Sequence, residues 1–351
     1  MSLVTIIDIG SNSIKNLVAI RERPGAPVVA LKMRSIEVRI STGIGRASPS
    51  LTEEGMTRGL EAVQNLLTDS AGLPPHPVVL VATSAVRDAA NGGEFRRRVR
   101  DATGHTVRLL GGLEEAALIG RGLLSDPGLS GLRDFHVFDL GGGSIECLAF
   151  ADREIRRAVS LPLGCVRLTE RCIPDPAAPI PRDALMRVAG VTRAVFARSG
   201  FFIAATAGDE SEPPSVQSPS RQGGQPGIPK SKNPAAAIDT AAVIGTGGAL
   251  TTARAILGAL ENKALSDTPP RIPVERLREL LHELASKTLA ERRRIPAMPP
   301  GRADVFPTAL TTLVTIAELG GFAAYHHSLR NLRWGLAAEV LAEAEAASPP
   351  V

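Results

Sequence analysis

The sequence predicts an α/β protein made of two similar halves. Strand-like and helix-like segments alternate along most of the chain. The pattern Asp–aliphatic–Gly–x–x–Ser occurs twice, at Asp8–Ser13 and Asp139–Ser144, and each copy opens one such alternating series. The length of 351 residues suits two domains, taken as 1–125 and 126–351.

Each element follows from local pattern. Val4–Ile9 is a short apolar run, Ser11-Asn12-Ser13 a turn cluster, and Ile14–Ile20 a second apolar segment, giving strand, turn, strand. Val28–Ile40 reads as a further strand pair. Thr52 is placed to cap a helix with Glu53 and Glu54 in its first turn, running to about Thr68. Pro77–Thr83 is a buried strand, and Asn91–Phe95 leads into a helix through about Ala102. Val107–Leu110 is a strand and Glu114–Leu124 a helix. The second half repeats the theme. His136–Leu140 is a strand, Ile145–Phe150 its returning partner, Ala158–Leu163 a third strand and Val166–Arg171 a helix start. Ala241–Gly245 is an apolar strand that enters Thr246–Ala249, and a helix follows to about Leu260. Beyond Pro273 the sequence is mostly helical, ending with Leu332–Ala346. Residues 208–235 are rich in Ser, Pro, Gly and Gln and read as a disordered surface insertion.

Composition narrows the class. Hydrophobic residues make up 44% and charged residues 22%, as in a soluble globular chain. No apolar run reaches the roughly 18 residues of a membrane span. The first residues lack a basic segment and a cleavage site, so no signal peptide is expected. Cys147, Cys165 and Cys172 cannot all pair and lack metal-ligand spacing, so they read as reduced and structural and the compartment as cytoplasmic. A net charge of +4 suits an anionic substrate. The runs Arg96–Arg98 and Arg292–Arg294 read as solvated helix faces. At 3% aromatic content there is no stacking platform for single strands, and nucleic acid is not an expected partner. The histidines read as surface or cap residues, and Trp334 as core. No Gly-x-Ser-x-Gly elbow or His-Glu-x-x-His spacing points to covalent or zinc chemistry.

The chemistry centres on the glycine turns. Gly10-Ser11-Asn12-Ser13 and Gly141-Gly142-Gly143-Ser144 can point consecutive backbone N–H groups at one anion, and such nests bind phosphate. Asp8 and Asp139 offer hard oxygen ligands for Mg²⁺. Gly247 and Gly248 form a third turn between a strand and a helix, where helix N–H groups favour anions or the turn is simply structural. Glu114 and Glu115 either complement a helix dipole or supply a cleft-facing carboxylate that deprotonates water. Glu146 lies two residues past Ser144 and shares its strand face, so it can complete a metal site or orient water. Arg87 follows a buried strand, as a surface arginine opening a helix or as a planar phosphate clamp.

Together these motifs resemble the exopolyphosphatase and guanosine pentaphosphate phosphohydrolase family. Asp8–Ser13, Thr83-Ser84-Ala85-Val86-Arg87, Gly112–Ala116, Asp139–Glu146, Leu163–Arg167, Gly245–Ala249 and Gly301–Val305 stand in that family's order, over roughly residues 4–340. The resemblance implies the actin-like ATPase (ribonuclease H-like) fold, with duplicated α/β domains around a central cleft. It implies Glu115 as catalytic base, Arg87 as a phosphate contact, and Asp139 and Glu146 as Mg²⁺ ligands, with Asp8 beside them. The implied substrate is inorganic polyphosphate or guanosine pentaphosphate; a homodimer stays open. A kinase or ATPase of the same fold and a non-catalytic polyphosphate or alarmone sensor are the alternatives. This chain departs from the family pattern at Lys15, where arginine is frequent, at Ala249, where threonine is usual, and at Trp334, where glutamate is usual. The resemblance also implies Lys15 as a charge facing the phosphate chain.

Overall fold

The computed structural model describes residues 1–202 and 242–346. Residues 208–235, read above as an insertion, lie outside the described residues. The first sheet holds β1 (Ser2–Ile9), β2 (Ser13–Arg21), β3 (Val29–Glu37), β4 (Val78–Ala82) and β5 (Val107–Leu109) in the order β3-β2-β1-β4-β5. The second holds β6 (Phe135–Leu140), β7 (Ile145–Ala151), β8 (Glu154–Leu161), β9 (Ala242–Thr246), β10 (Arg271–Pro273) and β11 (Ala324–His327) in the order β10-β11-β9-β6-β7-β8.

The two sheets have one connectivity written twice. Each opens with an antiparallel meander, β1-β2-β3 or β6-β7-β8. The first strand of each meander then pairs in parallel with a later strand, β4 or β9, and that strand with a further parallel one, β5 or β11. This is the expected duplicated α/β architecture of the actin-like ATPase fold.

Helices cover both faces. The first half contributes α1 (Glu53–Leu67), α2 (Ser84–Arg87), α3 (Gly92–Thr103) and α4 (Gly112–Leu124). The second contributes α5 (Cys165–Cys172), α6 (Arg182–Ser199), α7 (Gly248–Leu260), α8 (Val274–Ala285), α9 (Leu289–Arg292), α10 (Phe306–Gly320) and α11 (Leu332–Ala346). Thr52 caps α1 as expected, accepting the Gly55 N–H at 3.0 Å. With helices on both sides, β1 buries Val4, Ile6, Ile7 and Ile9 completely, which explains its unbroken apolar run. One apolar cluster joins the halves: Val4 and Ile6 of β1 meet Ile119 and Leu123 of α4, Leu148 and Phe150 of β7, and Leu336 and Leu341 of α11. The end of the chain thus packs beside its beginning.

Several local expectations are corrected. Val28–Ile40 is one strand rather than a pair: after Glu37 the N–H groups of Val38 and Arg39 turn to the carbonyl of Asn12, and Arg39 takes a positive φ of 43°. The four-residue β11 interrupts the region read as helical, and α6 was not anticipated. Arg292 is not solvated. It is fully buried, and its guanidinium donates to the carbonyls of Leu284, Lys287, Pro176 and Ala178 at 2.6–3.1 Å, at the end of α8 and in the loop beside it. His327 is buried on β11 rather than at the surface, 3.1 Å from Thr251 Oγ1. Trp334 is buried as expected, with the Arg330 guanidinium 4.2 Å from its ring centre. The three cysteines are free and buried.

Candidate active site

The two Asp–aliphatic–Gly–x–x–Ser segments become matching hairpins at the carboxyl ends of β1 and β6, where open α/β sheets present ligand sites. Strand register sets Asp8 opposite Lys15 in the first and Asp139 opposite Glu146 in the second. Both turns close alike, with Gly10 N–H donating to Ser13 O at 3.2 Å and Gly141 N–H to Ser144 O at 3.0 Å. In both, the tip carbonyls accept backbone N–H groups. Ser11 O accepts from Ser41 N–H and Asn12 O from Val38 and Arg39. Gly141 O accepts from Cys165, and Gly142 O from Val166 and Arg167. The N–H groups of Ser11, Asn12, Gly142 and Gly143 have no partner among the described residues. These free donors are what an anion nest requires.

The two hairpins border one cleft between the halves. Gly10, Ser11, Asn12 and Ser13 line it on one side, and Gly141, Gly142 and Ser144 on the other. Asp8, Lys15, Glu115, Asp139, Glu146 and Gly248 complete the expected residues that reach it. The hairpin tips meet: Ser11 Oγ lies 3.0 Å from Ser84 Oγ, and Gly143 sits so close to both serines that a methyl group there would collide with them. Gly247 does not line the cleft. It adopts φ +89° against Asp139 Oδ1, a conformation and a proximity that only glycine tolerates.

The Glu-Glu pair divides its labour. Glu114 caps α4, accepting the Gly111 N–H at 3.3 Å and an ion pair from Arg108. Glu115, one helical step on, is 8% exposed and faces the cleft. Burial raises its carboxyl well above the ordinary range, and the charges of Glu146, Asp8 and Asp139 add to this while Arg87 opposes it. Glu146 is pushed up to about 7 by burial and by Asp139, against hydrogen bonds from Ser160 (2.8 Å) and Ser144. Asp139 is pushed up to about 6 by burial, with Asp8 adding and Lys15 and Arg333 opposing. Burial also raises Asp8 and lowers Lys15, each partly offset by the other.

Arg87 stands behind Glu115 and outside the cleft lining. It donates to Leu110 O at 3.0 Å and to Glu115 Oε2 at 3.3 Å. Two arginines escaped the sequence reading. Arg302 lines the cleft, lies against Gly248 and pairs with Glu37 at 3.0 Å. Arg333 is buried, donates to Asn16 O at 2.6 Å, and its charge acts on Asp8 and Asp139. Arg302 falls inside the Gly301–Val305 motif and Arg333 in the helix read over Leu332–Ala346, but neither pattern assigns the arginine to the cleft.

The donor set fits a divalent cation of the magnesium type. Asp139 and Glu146 are hard carboxylates facing each other across one hairpin; burial raises both, and Asp139 raises Glu146 further. Among the described residues no three carboxylate, histidine or cysteine side chains converge into a closed cage. Mg²⁺ asks for none, since it keeps waters and takes substrate oxygens beside one or two carboxylates.

Known proteins share this architecture. An exopolyphosphatase from Cytophaga hutchinsonii is 22% identical, over 97% of this chain and 98% of that one, with a TM-score of 0.76. The Ppx/GppA enzyme of Aquifex aeolicus is 20% identical over 96% and 99%, with a TM-score of 0.69. An exopolyphosphatase-like protein reaches 22% identity, over 96% and 98%, with a TM-score of 0.77. At these identities the likeness establishes the fold. The model of the Ppx/GppA phosphatase family matches residues 18–197, just over half of the sequence. The chain belongs to the Ppx/GppA phosphatase family.

Proposed function

We propose that this phosphohydrolase releases terminal orthophosphate from inorganic polyphosphate or guanosine pentaphosphate, with Glu115 as general base. The observation that carries the reading is the convergence of Glu115 with the two glycine hairpins, whose tip N–H groups have no partner among the described residues, around one cleft. The nests bind phosphate oxygens of the chain, and Lys15 and Arg302 neutralise charge along it. Glu115 takes a proton from water as it attacks the terminal phosphorus; burial makes its carboxylate a stronger base than a solvated one. Arg87 holds the Glu115 carboxylate in place. A divalent cation at Asp139 and Glu146, beside Asp8, would supply charge neutralisation at the transferring phosphoryl group. Three free thiols support a reducing, cytoplasmic setting.

The test is phosphate release with Mg²⁺ from long polyphosphate, short polyphosphate, guanosine pentaphosphate and ATP. Glu115→Gln is expected to lower turnover about 10²-fold or more while leaving the fold intact. Undiminished release by the folded variant would remove Glu115 from the mechanism. Turnover of ATP alone would favour the kinase or ATPase alternative, and tight binding without release the sensor.

A further inference from the structure

Arg167, on α5 of the second half, reaches into the first. Its Nε donates to Gly143 O at 2.8 Å, its Nη1 to Ile44 O at 3.1 Å and its Nη2 to Asp88 Oδ2 at 2.5 Å. One guanidinium thus ties the tip of the second nest to two points across the cleft. The contacts continue beyond it. The other oxygen of Asp88 accepts Arg87 Nε at 3.3 Å, and Arg87 Nη1 reaches Glu115 Oε2 at 3.3 Å. Asp88 is therefore shared by two arginines, and Arg87 by two carboxylates. Arg167 does not line the cleft, and its side chain is 12% exposed. The same helix has a second hold on the first half, where Glu170 accepts the N–H groups of Gly43 and Gly45, both at 2.7 Å.

We infer that Arg167 is a positioning residue that holds Asp88, fixes how Arg87 clasps Glu115, and so makes the orientation of the base depend on closure of the two halves. The inference rests on the proposed role of Glu115. Its physical basis is competition for one guanidinium. Charge-assisted bonds to arginine usually close to about 2.7–2.9 Å. Arg87 makes neither of its carboxylate contacts that tightly, so its position reflects the balance between Asp88 and Glu115. Arg167 takes Asp88 in the shortest contact of the series and keeps that carboxylate from drawing Arg87 off the base. Opening the cleft would separate Arg167 from Asp88 or from Gly143, and the base would lose its fixed orientation. A shift of about 1 Å in such a group can cost about 10²-fold in rate.

The experiment measures kcat and KM for phosphate release from polyphosphate with Mg²⁺, on the full chain. Arg167→Gln is expected to lower kcat about 10- to 100-fold with KM changed less than about threefold, because Arg167 touches no substrate. Arg167→Gln combined with Asp88→Asn should be no slower than the slower single variant. In a Glu115→Gln background, Arg167→Gln should cost nothing further. Equal losses with and without Glu115, multiplying losses in the Arg167/Asp88 double variant, or a raised KM at unchanged kcat would each overturn the inference. Full activity of Glu115→Gln itself would instead overturn the proposed base, so the two failures are distinguishable. Should Arg167→Gln not fold, Arg167→Lys serves with the same outcomes, since it keeps a charge near Asp88 but lacks the fork that reaches Gly143 and Ile44.

Discussion

Across the first hairpin Asp8 faces Lys15, whereas across the second Asp139 faces Glu146. The backbones match in turn closure, in the paired tip carbonyls and in the unpartnered N–H groups. The charge opposite the aspartate differs. Opposite charges across a strand pair are mildly favourable and like charges mildly unfavourable, by roughly 0.2–1 kcal/mol in exposed sheets. Burial enlarges the cost in the second hairpin, as its raised carboxyls show. Two hairpins of one backbone form, with different residues opposite the aspartate, thus have different electrostatic character. The first sets its aspartate against a cation, and the second sets two carboxylates against each other, where we propose the divalent cation.

The sharpest way to break this contrast is Glu146→Gln. It should lower phosphate release about 10²-fold or more and move the Mg²⁺ optimum upward, as read by titrating Mg²⁺ against rate. A variant with unchanged metal dependence would place the cation elsewhere.

Next in size is the pH dependence of stability without metal. Asp139 and Glu146 have folded-state values of about 6 and about 7, above their ordinary values of 3.8 and 4.5. From about pH 4 upward the unfolded chain loses these protons first, so it binds fewer than the folded protein and stability falls. The fall ends once pH passes about 7, after a combined loss on the order of 6 kcal/mol. Thermal melts in chelator should therefore drop between pH 5 and 7.5, and Mg²⁺ should restore most of the loss at the upper end. A flat profile in chelator would mean that the second hairpin carries no charge strain.

Lys15→Gln tests the first hairpin. It should raise KM about tenfold, near the 1.5 kcal/mol of a charge-assisted hydrogen bond, and leave the Mg²⁺ optimum unmoved. A shifted optimum would show that the two hairpins share the cation. The smallest effect is expected for Lys15→Arg, within about threefold in KM, because charge is kept and only its geometry changes.

Much of this site was legible because its parts are local. A glycine turn, the aspartate before it and the residue returning opposite are close in sequence, and strand period puts Glu146 on the face of Ser144. The Glu-Glu pair was legible only as a choice between two roles. Its resolution needed the orientation of α4, which turns Glu114 to the Gly111 N–H and Glu115 to the cleft. Arg292 was misread because a charged triplet does not reveal that loop carbonyls from residues 176–178 converge on one of its members.

The sequence by itself determined two similar α/β halves, each opening on a nest with an aspartate at its base. That information resides in residue periods and in turn chemistry, which act over a few residues. Only the tertiary structure decided that the two hairpins share one cleft, that Arg302 joins Lys15 in lining it while Arg333 acts on Asp8 and Asp139, and that Arg87 donates to Glu115 from outside the lining. Those contacts join residues separated by tens to hundreds of positions. They exist because α4 and α11 pack into one apolar core between the sheets, and nothing in a local pattern records that packing.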